Sequence, residues 1–141
     1  MSKKSARLTL IDHLKEDLSR EYQAIIAYIT YSQVIKGATL MHIAKELEKH
    51  AQEELRHAIT IAKMVDYLGG KPSVTVNPPV KTSDKAEDML RFDLDNVSET
   101  VRNYRERFSP SQVLPVHFRC ICVQALTENA AFWARLGQGR T

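Results

Sequence analysis

The chain has 141 residues, of which 43% are apolar and 26% are charged, a composition typical of one soluble globular domain spanning 1–141. Its formal charge is only +3 and its basic residues are scattered, which argues against a nucleic-acid partner. The basic start is followed by amphipathic sequence, and no apolar run reaches the roughly 18 residues of a membrane span. We therefore expect no membrane partner and predict a cytoplasmic location.

Helix stop signals divide the sequence into four segments, and the spacing of apolar residues predicts that all four are helical. A capping-box pattern from Thr9 to Asp12 indicates the start of the first helix, and Gly37 indicates its end. The second helix follows almost at once and ends before Gly69 and Gly70. The predicted helices cover about 9–36, 39–68, 84–108 and 114–136.

The connection between the second and third helices, about 69–83, is the long one. Three prolines fall within 71–81, so this stretch cannot be helical, and only 73–76 has a strand-like pattern. Short turns on either side of one long crossover are typical of two antiparallel hairpins. We therefore predict an all-α, antiparallel four-helix bundle.

Ionisable residues interrupt the apolar seams of the first two helices. The predicted core stripe of the second helix contains His50, Glu54 and His57, and that of the first contains Glu21. Glu21 lies 16 residues before Gly37 and Glu54 lies 17 residues after it, so an antiparallel hairpin brings these two carboxylates level. The four side chains are therefore candidates for a polar cluster at mid-height in the bundle.

A buried cluster of this kind requires a compensating cation. An unpaired carboxylate in an apolar core costs several kcal/mol or takes up a proton, and two carboxylates together cost more. Glu54 and His57 are three residues apart and face the same side of a helix. Because iron, manganese and zinc all accept carboxylate and imidazole ligands, we predict a metal site.

A simpler interpretation applies to each residue taken singly. A lone histidine at a predicted core position is more often a hydrogen-bonded core group, and that interpretation suits His50 by itself. Tyr28, two turns from Glu21, is more simply read as core packing than as a redox partner. The coincidence of Glu21, Glu54 and His57 at one level favours the metal site.

Three motifs on the predicted helices carry a family signature. They are Leu18-Ser-Arg-Glu21-Tyr-Gln-Ala, Glu53-Glu54-Leu-Arg-His57-Ala and Met89-Leu-Arg-Phe-Asp-Leu. With these motifs the chain resembles the ferritin-like superfamily, in particular its bacterioferritin-type members, whose di-iron sites combine inward glutamates with Glu-x-x-His pairs. The resemblance implies that Glu21 and His57 bind one metal ion while Glu54 bridges to a second.

The third predicted helix departs from the pattern of that superfamily. Its apolar seam runs through Leu90, Leu94 and Val97, and Val97 occupies the position where the resemblance implies a glutamate ligand. Valine has no atom that can bind a metal ion. The second half of a dinuclear site therefore lacks one of its ligands.

The fourth predicted helix departs further, and residues from Ser109 onward resemble the family poorly. Ala125 stands where the resemblance implies the glutamate of a second Glu-x-x-His motif, and Glu128 stands where it implies the histidine. Glu128 is the one of these two that can still coordinate. The candidate metal ligands are Glu21, Glu54, His57, Glu128 and His50.

The loss of ligands changes the chemistry that the resemblance implies. Two iron ions ~4 Å apart can together pass two electrons to O₂ or peroxide, which is the ferroxidase reaction. Three or four ligands suit one ion, so we expect reduced or altered oxidase activity, with zinc or manganese able to replace iron. Leu55 stands where bacterioferritins place a methionine, so no haem is expected.

The leading function is therefore an iron-binding ferritin-like protein with one or two metal ions per chain. A metal-poor structural or assembly subunit and a protein with a single metal ion are the alternatives. Because ferritin-like relatives assemble, we expect a homo-oligomer, either a dimer or a larger assembly.

Overall fold

The computed structural model describes residues 2–107, apart from the side chains at positions 104, 105 and 107. This part of the chain forms α-helices and irregular connections, and it contains no strand. The helices are α1 (Lys3–Val34), α2 (Met41–Tyr67) and α3 (Ala86–Arg107), with a short 3₁₀ turn (Ala38–Leu40) before α2. The all-helical prediction is confirmed here, and none of these helices is long and apolar enough to cross a bilayer. The predicted fourth helix lies outside the described residues.

The chain divides into two compact units. The first ends at Ala86 and contains α1, α2 and the long connection, whereas the second begins at Glu87 and contains nearly all of α3.

Helix α1 begins six residues before the predicted start at Thr9. Its N-cap is Ser2, whose hydroxyl accepts a hydrogen bond from the backbone N–H of Ser5 at 3.2 Å and so satisfies a free donor of the first turn. Thr9 lies inside the helix, where its hydroxyl donates to the Ser5 carbonyl. The predicted cap at Thr9 is wrong because the first two turns are exposed and lack the apolar spacing on which the prediction depends.

Two glycines with positive φ lie at the ends of the hairpin helices. Gly37, between α1 and α2, has a φ of 111°, and Gly69, just after α2, has a φ of 82°, values that are unfavourable for residues with a side chain. Gly69 directly follows the C-cap of α2, Leu68, and ends that helix. Helix α1 ends earlier than predicted, at its extended C-cap Ile35, and Gly37 shapes the turn that follows. The observed ends at Val34 and Tyr67 lie within two residues of the predicted ends.

Helices α1 and α2 run antiparallel around a common apolar core. Tyr28 packs against His50, and the earlier Glu21 approaches the later His57, so the order of contacts is reversed between the two helices. On either side of the level of Glu21 and Glu54, the large buried apolar residues recur every three or four positions: Ile11, Leu14, Leu18, Tyr28, Tyr31, Ile43, Leu47, Ile61 and Val65. Burying one such side chain contributes about 1.5–3 kcal/mol, so these residues stabilise the packing of the hairpin.

The long connection after α2 is held against α1. The hydroxyl of Ser19 lies 2.9 Å from that of Ser73, and the Ser19 carbonyl accepts a hydrogen bond from the Asn77 N–H. Further along, the buried Tyr31 donates its hydroxyl hydrogen to the carbonyl of Lys81. The connection is non-helical, as its prolines predict, and the stretch 73–76 does not form a strand.

The buried face of α3 differs from the predicted seam. Met89, Asp93 and Val97, four residues apart, are buried, whereas Leu94 is 42% exposed. The predicted seam is confirmed at Val97 but is wrong by one position at Leu90 and Leu94, where the helix buries Met89 and Asp93 instead.

Candidate metal centre

Two carboxylates and one imidazole meet inside the α1–α2 hairpin. Glu21 lies near the middle of α1, and Glu54 and His57 lie one turn apart on α2. Only 5% of Glu21, 5% of Glu54 and 6% of His57 is exposed to solvent. The hairpin register fixed by the turn at Gly37 therefore brings these three residues to one buried level.

The distances in this cluster suit a shared cation. The Nδ1 atom of His57 lies 2.9 Å from Oε2 of Glu54 and 3.8 Å from Oε2 of Glu21. One candidate ligand atom from each residue lies within 4.8 Å of the other two. A metal ion binds each ligand atom at ~2.0–2.3 Å, which places two of its ligand atoms about 3–4 Å from each other. The ligand atoms of this cluster are only slightly farther apart, so small side-chain shifts are enough for them to bind one ion.

The same crowding makes the cluster retain protons when no cation is present. Burial, followed by repulsion from the neighbouring Glu21 carboxylate, raises the pKa of Glu54 to about 8. Burial by itself lowers the pKa of His57, but hydrogen bonds to the carboxylates of Glu21 and Glu54 outweigh that effect and raise the pKa to about 10. Protons therefore balance the negative charge that a divalent cation would otherwise balance.

The donor set fits one divalent ion. Carboxylate oxygens and an imidazole nitrogen are accepted by iron, manganese and zinc alike, and the burial of all three residues limits the access of competing water. Within residues 2–107, the group of potential metal ligands whose binding atoms all lie within 4.8 Å of one another consists of Glu21, Glu54 and His57.

His50 occupies a different position on α2. It is buried, its Nδ1 atom lies 2.9 Å from Oε2 of Glu53, and its ring lies 5.8 Å from that of Tyr28. The structure thus places His50 against Glu53 and Tyr28 rather than in the group of three. Its role as a ligand stays a prediction.

The remaining predicted positions belong to the second half of the chain. Val97 is buried on α3, as its place in the predicted seam requires. Glu128 and Ala125 lie outside the described residues.

Two buried aspartates were missed by the sequence analysis. Asp17 on α1 is 1% exposed and Asp93 on α3 is 5% exposed. Each lies four residues before a position that was predicted to face inward, Glu21 and Val97 respectively. A search at this spacing for acidic residues as well as apolar ones could have found both.

Comparison with known proteins identifies the family. The ferritin-like domain family matches residues 11–109, which is most of the chain, and the chain therefore belongs to this family. The resemblance seen in the three motifs is confirmed. A bacterial ferritin of Synechocystis is 23% identical over 97 residues, a stretch that covers 69% of this chain and 62% of that relative. The match thus spans less than two thirds of the length of that protein.

Solved structures show the same fold. A dodecameric, bacterioferritin-related thioferritin from Bacteroides fragilis has a TM-score of 0.78 and 23% identity, covering 98% of this chain and 92% of its own. A ferritin-like, diiron-carboxylate protein from Bacillus anthracis has a TM-score of 0.76 and 25% identity, with coverage of 99% and 96%. A bacterioferritin from Rhodobacter capsulatus has a TM-score of 0.65 and 21% identity, with coverage of 94% and 77%. The ferritin-like fold predicted from the sequence is therefore confirmed.

Proposed function

We propose that this ferritin-like protein binds a metal ion, iron in the first place, through Glu21, Glu54 and His57. The observation that supports the proposal most directly is the meeting of these three buried side chains within 4.8 Å. A cluster with two carboxylates and only one imidazole is hard to explain as packing alone. Without a cation, its burial requires Glu54 and His57 to keep their protons, with pKa values raised well above their ordinary ones.

Each residue has a definite task in this proposal. Glu21 and Glu54 supply carboxylate oxygens from two different helices, so binding also ties α1 to α2. His57 supplies Nδ1, the ring atom that faces the two carboxylates. Iron bound there would supply one-electron redox chemistry, while the chain holds the ion and takes up or releases the protons of Glu54 and His57.

We further propose that ferroxidase activity is reduced. Paired oxidation of two iron ions requires ligands for both, and the resemblance implies a ligand at Val97, which is an aliphatic residue buried on α3. Glu128 and His50 are the candidates for supplying ligands to a second ion. The expectation that zinc or manganese can replace iron, the absence of haem and the cytoplasmic location stay predictions.

The buried Val97 also favours the alternative, a structural or assembly subunit that has kept the bundle without catalysis. Metal content decides between the two. Purified protein is stripped of metal, loaded anaerobically with Fe(II), desalted and measured by elemental analysis. Two equivalents per chain indicate a dinuclear site, one equivalent a mononuclear site, and none the structural alternative.

Isosteric variants test the assignment of the ligands. Glu54→Gln and Glu21→Gln should each lower the Fe(II) content severalfold, because a neutral amide is a much weaker ligand than a carboxylate. Asp66→Asn is the matched control, since Asp66 is an exposed carboxylate on the same helix as Glu54. Metal content that does not change in Glu54→Gln would show that the site is elsewhere.

We also propose that the chain forms a homo-oligomer. The similarity to a dodecameric thioferritin supports this proposal, as does a row of large apolar side chains left exposed on the α1–α2 hairpin.

A further inference from the structure

Helix α2 presents a row of cations on the side opposite to its buried face. Residues that are separated by one or two helical turns lie on the same side of a helix. The exposed cations of α2 that share one side in this way are Lys45, Lys49, Arg56 and Lys63. We call these four side chains the cation row. From its first residue to its last, the axis of α2 rises by ~27 Å.

No carboxylate interrupts the cation row along the described length of α2. Gln52 lies between Lys49 and Arg56, Thr60 lies between Arg56 and Lys63, and both are exposed and uncharged. The row therefore carries a formal charge of +4, which is more than the +3 of the whole chain. One side of one helix thus accounts for the net positive charge of the protein.

Two carboxylates beside the middle of the row are engaged with other groups. Glu48 accepts a hydrogen bond from the Gln33 amide at 3.2 Å. The Oε2 atom of Glu53 lies 2.9 Å from Nδ1 of the buried His50. Within residues 2–107, no member of the cation row forms an ion pair. The positive charge of the row is therefore not neutralised by its own helix or by α1.

A simpler interpretation of the row is a helix face that is merely solvated. Such faces commonly pair opposite charges one turn apart, as on α3, where the Arg91 guanidinium lies 3.3 Å from the Glu87 carboxylate. On α2 the residues one turn apart are Lys45 and Lys49, whose like charges repel each other. A repulsive row that takes no part in packing favours a surface that binds an anion.

The spacing of the row determines how long that anion must be. Successive cations are separated along the helix axis by about 6–10 Å. A single phosphate ion can contact two neighbours at most, such as Lys49 and Arg56, and leaves the others unused. An extended anion with many charges contacts all four cations at once and gains from each contact.

The side chains of the row also indicate which extended anion fits. Proteins that bind single-stranded nucleic acids place aromatic rings among their cations to stack the bases, and binding to a membrane surface requires an apolar face. Between Lys45 and Lys63 the row contains neither aromatic nor aliphatic residues, and the exposed Tyr67 lies beyond its end. Lysine and arginine are good donors to phosphate oxygens. The row is therefore suited to phosphate groups without bases or lipid attached to them.

We propose that the cation row binds inorganic polyphosphate, a linear chain of phosphate groups, along the exposed side of α2. The inference goes beyond the proposed metal binding and does not depend on it, because Glu54 and His57 lie on the buried side of the same helix. Binding should be electrostatic, since each phosphate contact releases a counterion.

The first test is the affinity for an end-labelled long-chain polyphosphate, measured by fluorescence anisotropy. Inorganic triphosphate, used as a competitor, should bind at least tenfold more weakly because it is too short to contact the whole row. Four contacts, each with the salt dependence of a single-stranded nucleic acid, predict a fall in affinity of about 50-fold between 50 and 200 mM salt.

A double variant tests whether the cation row is the binding surface. Lys49→Gln with Arg56→Gln should weaken binding at 50 mM salt by at least tenfold. The fall in affinity up to 200 mM salt should decrease to about sevenfold, because two contacts remain. Lys4→Gln with Lys71→Gln is the matched control, since it removes the same charge at two exposed lysines outside α2. Circular dichroism verifies that both proteins are folded.

A second measurement uses the unaltered protein. Lysines are acetylated briefly with and without long-chain polyphosphate, and the modified positions are quantified by mass spectrometry. Bound polyphosphate should protect Lys45, Lys49 and Lys63 severalfold, whereas the exposed Lys71 should react at the same rate in both samples.

The outcomes separate this inference from the proposed metal site. Unchanged affinity in the folded double variant, a long chain that binds no more tightly than triphosphate, or protection that spares the row overturns the inference. Single-stranded DNA with the same number of phosphates that binds equally well overturns the assignment to polyphosphate and indicates a nucleic-acid surface. Fe(II) content, measured in parallel, should be the same in Lys49→Gln/Arg56→Gln as in the wild type.

Discussion

The Nδ1 atom of His57 lies 2.9 Å from Oε2 of Glu54, one turn earlier on α2, and both side chains are buried. Burial and the nearby Glu21 carboxylate raise the pKa of Glu54 to about 8, and the two carboxylates raise the pKa of His57 to about 10 against the effect of burial. The metal-free folded protein therefore binds more protons than the unfolded chain, and this excess has consequences for stability and for metal binding.

The metal-free protein should become less stable as the pH rises. A group with a raised folded-state pKa contributes stability that is complete below its unfolded pKa and is lost as the pH rises through its folded pKa. For Glu54 this window runs from 4.5 to about 8, and for His57 it runs from 6.5 to about 10. Urea unfolding of metal-free protein should show the free energy of unfolding falling by several kcal/mol between pH 6 and pH 9, because each of the two groups contributes about 2–3 kcal/mol over this range.

Two variants show whether this pH dependence belongs to the cluster. Glu54→Gln should flatten the profile, because it removes one titrating group and one partner of His57. Asp66→Asn should keep the slope of the wild type, since Asp66 is exposed. A metal-free wild type whose stability is level or increasing across this range would contradict the predicted protonation.

Metal affinity should increase as the pH rises, whereas the stability of the metal-free protein should decrease. An ion must displace the protons of Glu54 and His57, so binding weakens as the pH falls. Between pH 6 and pH 8 we expect the affinity for Zn(II), which is free of redox complications, to rise by well over 100-fold, because each displaced proton contributes up to about tenfold per pH unit. Competition with a chromophoric chelator measures it, and calorimetry in buffers of different ionisation enthalpy should detect proton release. Affinity that is independent of pH would place the ion away from these residues.

The sequence predicted the hairpin and its cluster because local signals determined both. Gly37 indicates the turn, and the seam spacing indicates which faces of α1 and α2 meet, so the sequence alone places Glu21 and Glu54 at one level, as the structure has them. The start of α1 was missed because its exposed first turns lack apolar spacing. The burial of Asp93 was not predicted, because an aspartate is buried only where other groups compensate its charge, and the spacing of apolar residues does not reveal those groups.

The hydrogen bond from Tyr31 to the crossover should contribute measurably to stability. The ring of Tyr31 is 1% exposed, and its hydroxyl donates to the Lys81 carbonyl on the connection after α2. Tyr31→Phe keeps the ring packing but removes this hydrogen bond, at a cost of about 1–2 kcal/mol in thermal or urea unfolding. Tyr67→Phe is the matched control, because Tyr67 is 84% exposed and should lose little. Equal effects in both variants would mean that the Tyr31 hydroxyl does not anchor the crossover.

Gly70 should be required for the close approach of the crossover to α1. A Cβ atom at this position would lie 2.7 Å from Cγ2 of Ile11 and 3.0 Å from Cγ1 of Val65, both branched side chains of the core. Gly70→Ala should therefore destabilise the protein by about 1–3 kcal/mol, although the lower chain entropy of alanine in the unfolded state offsets part of that loss. Removing Cγ2 with Ile11→Ala costs about 2–5 kcal/mol by itself, but the added cost of Gly70→Ala in that background should fall by at least half. Strictly additive losses in this double-mutant cycle would contradict a steric clash between residues 11 and 70.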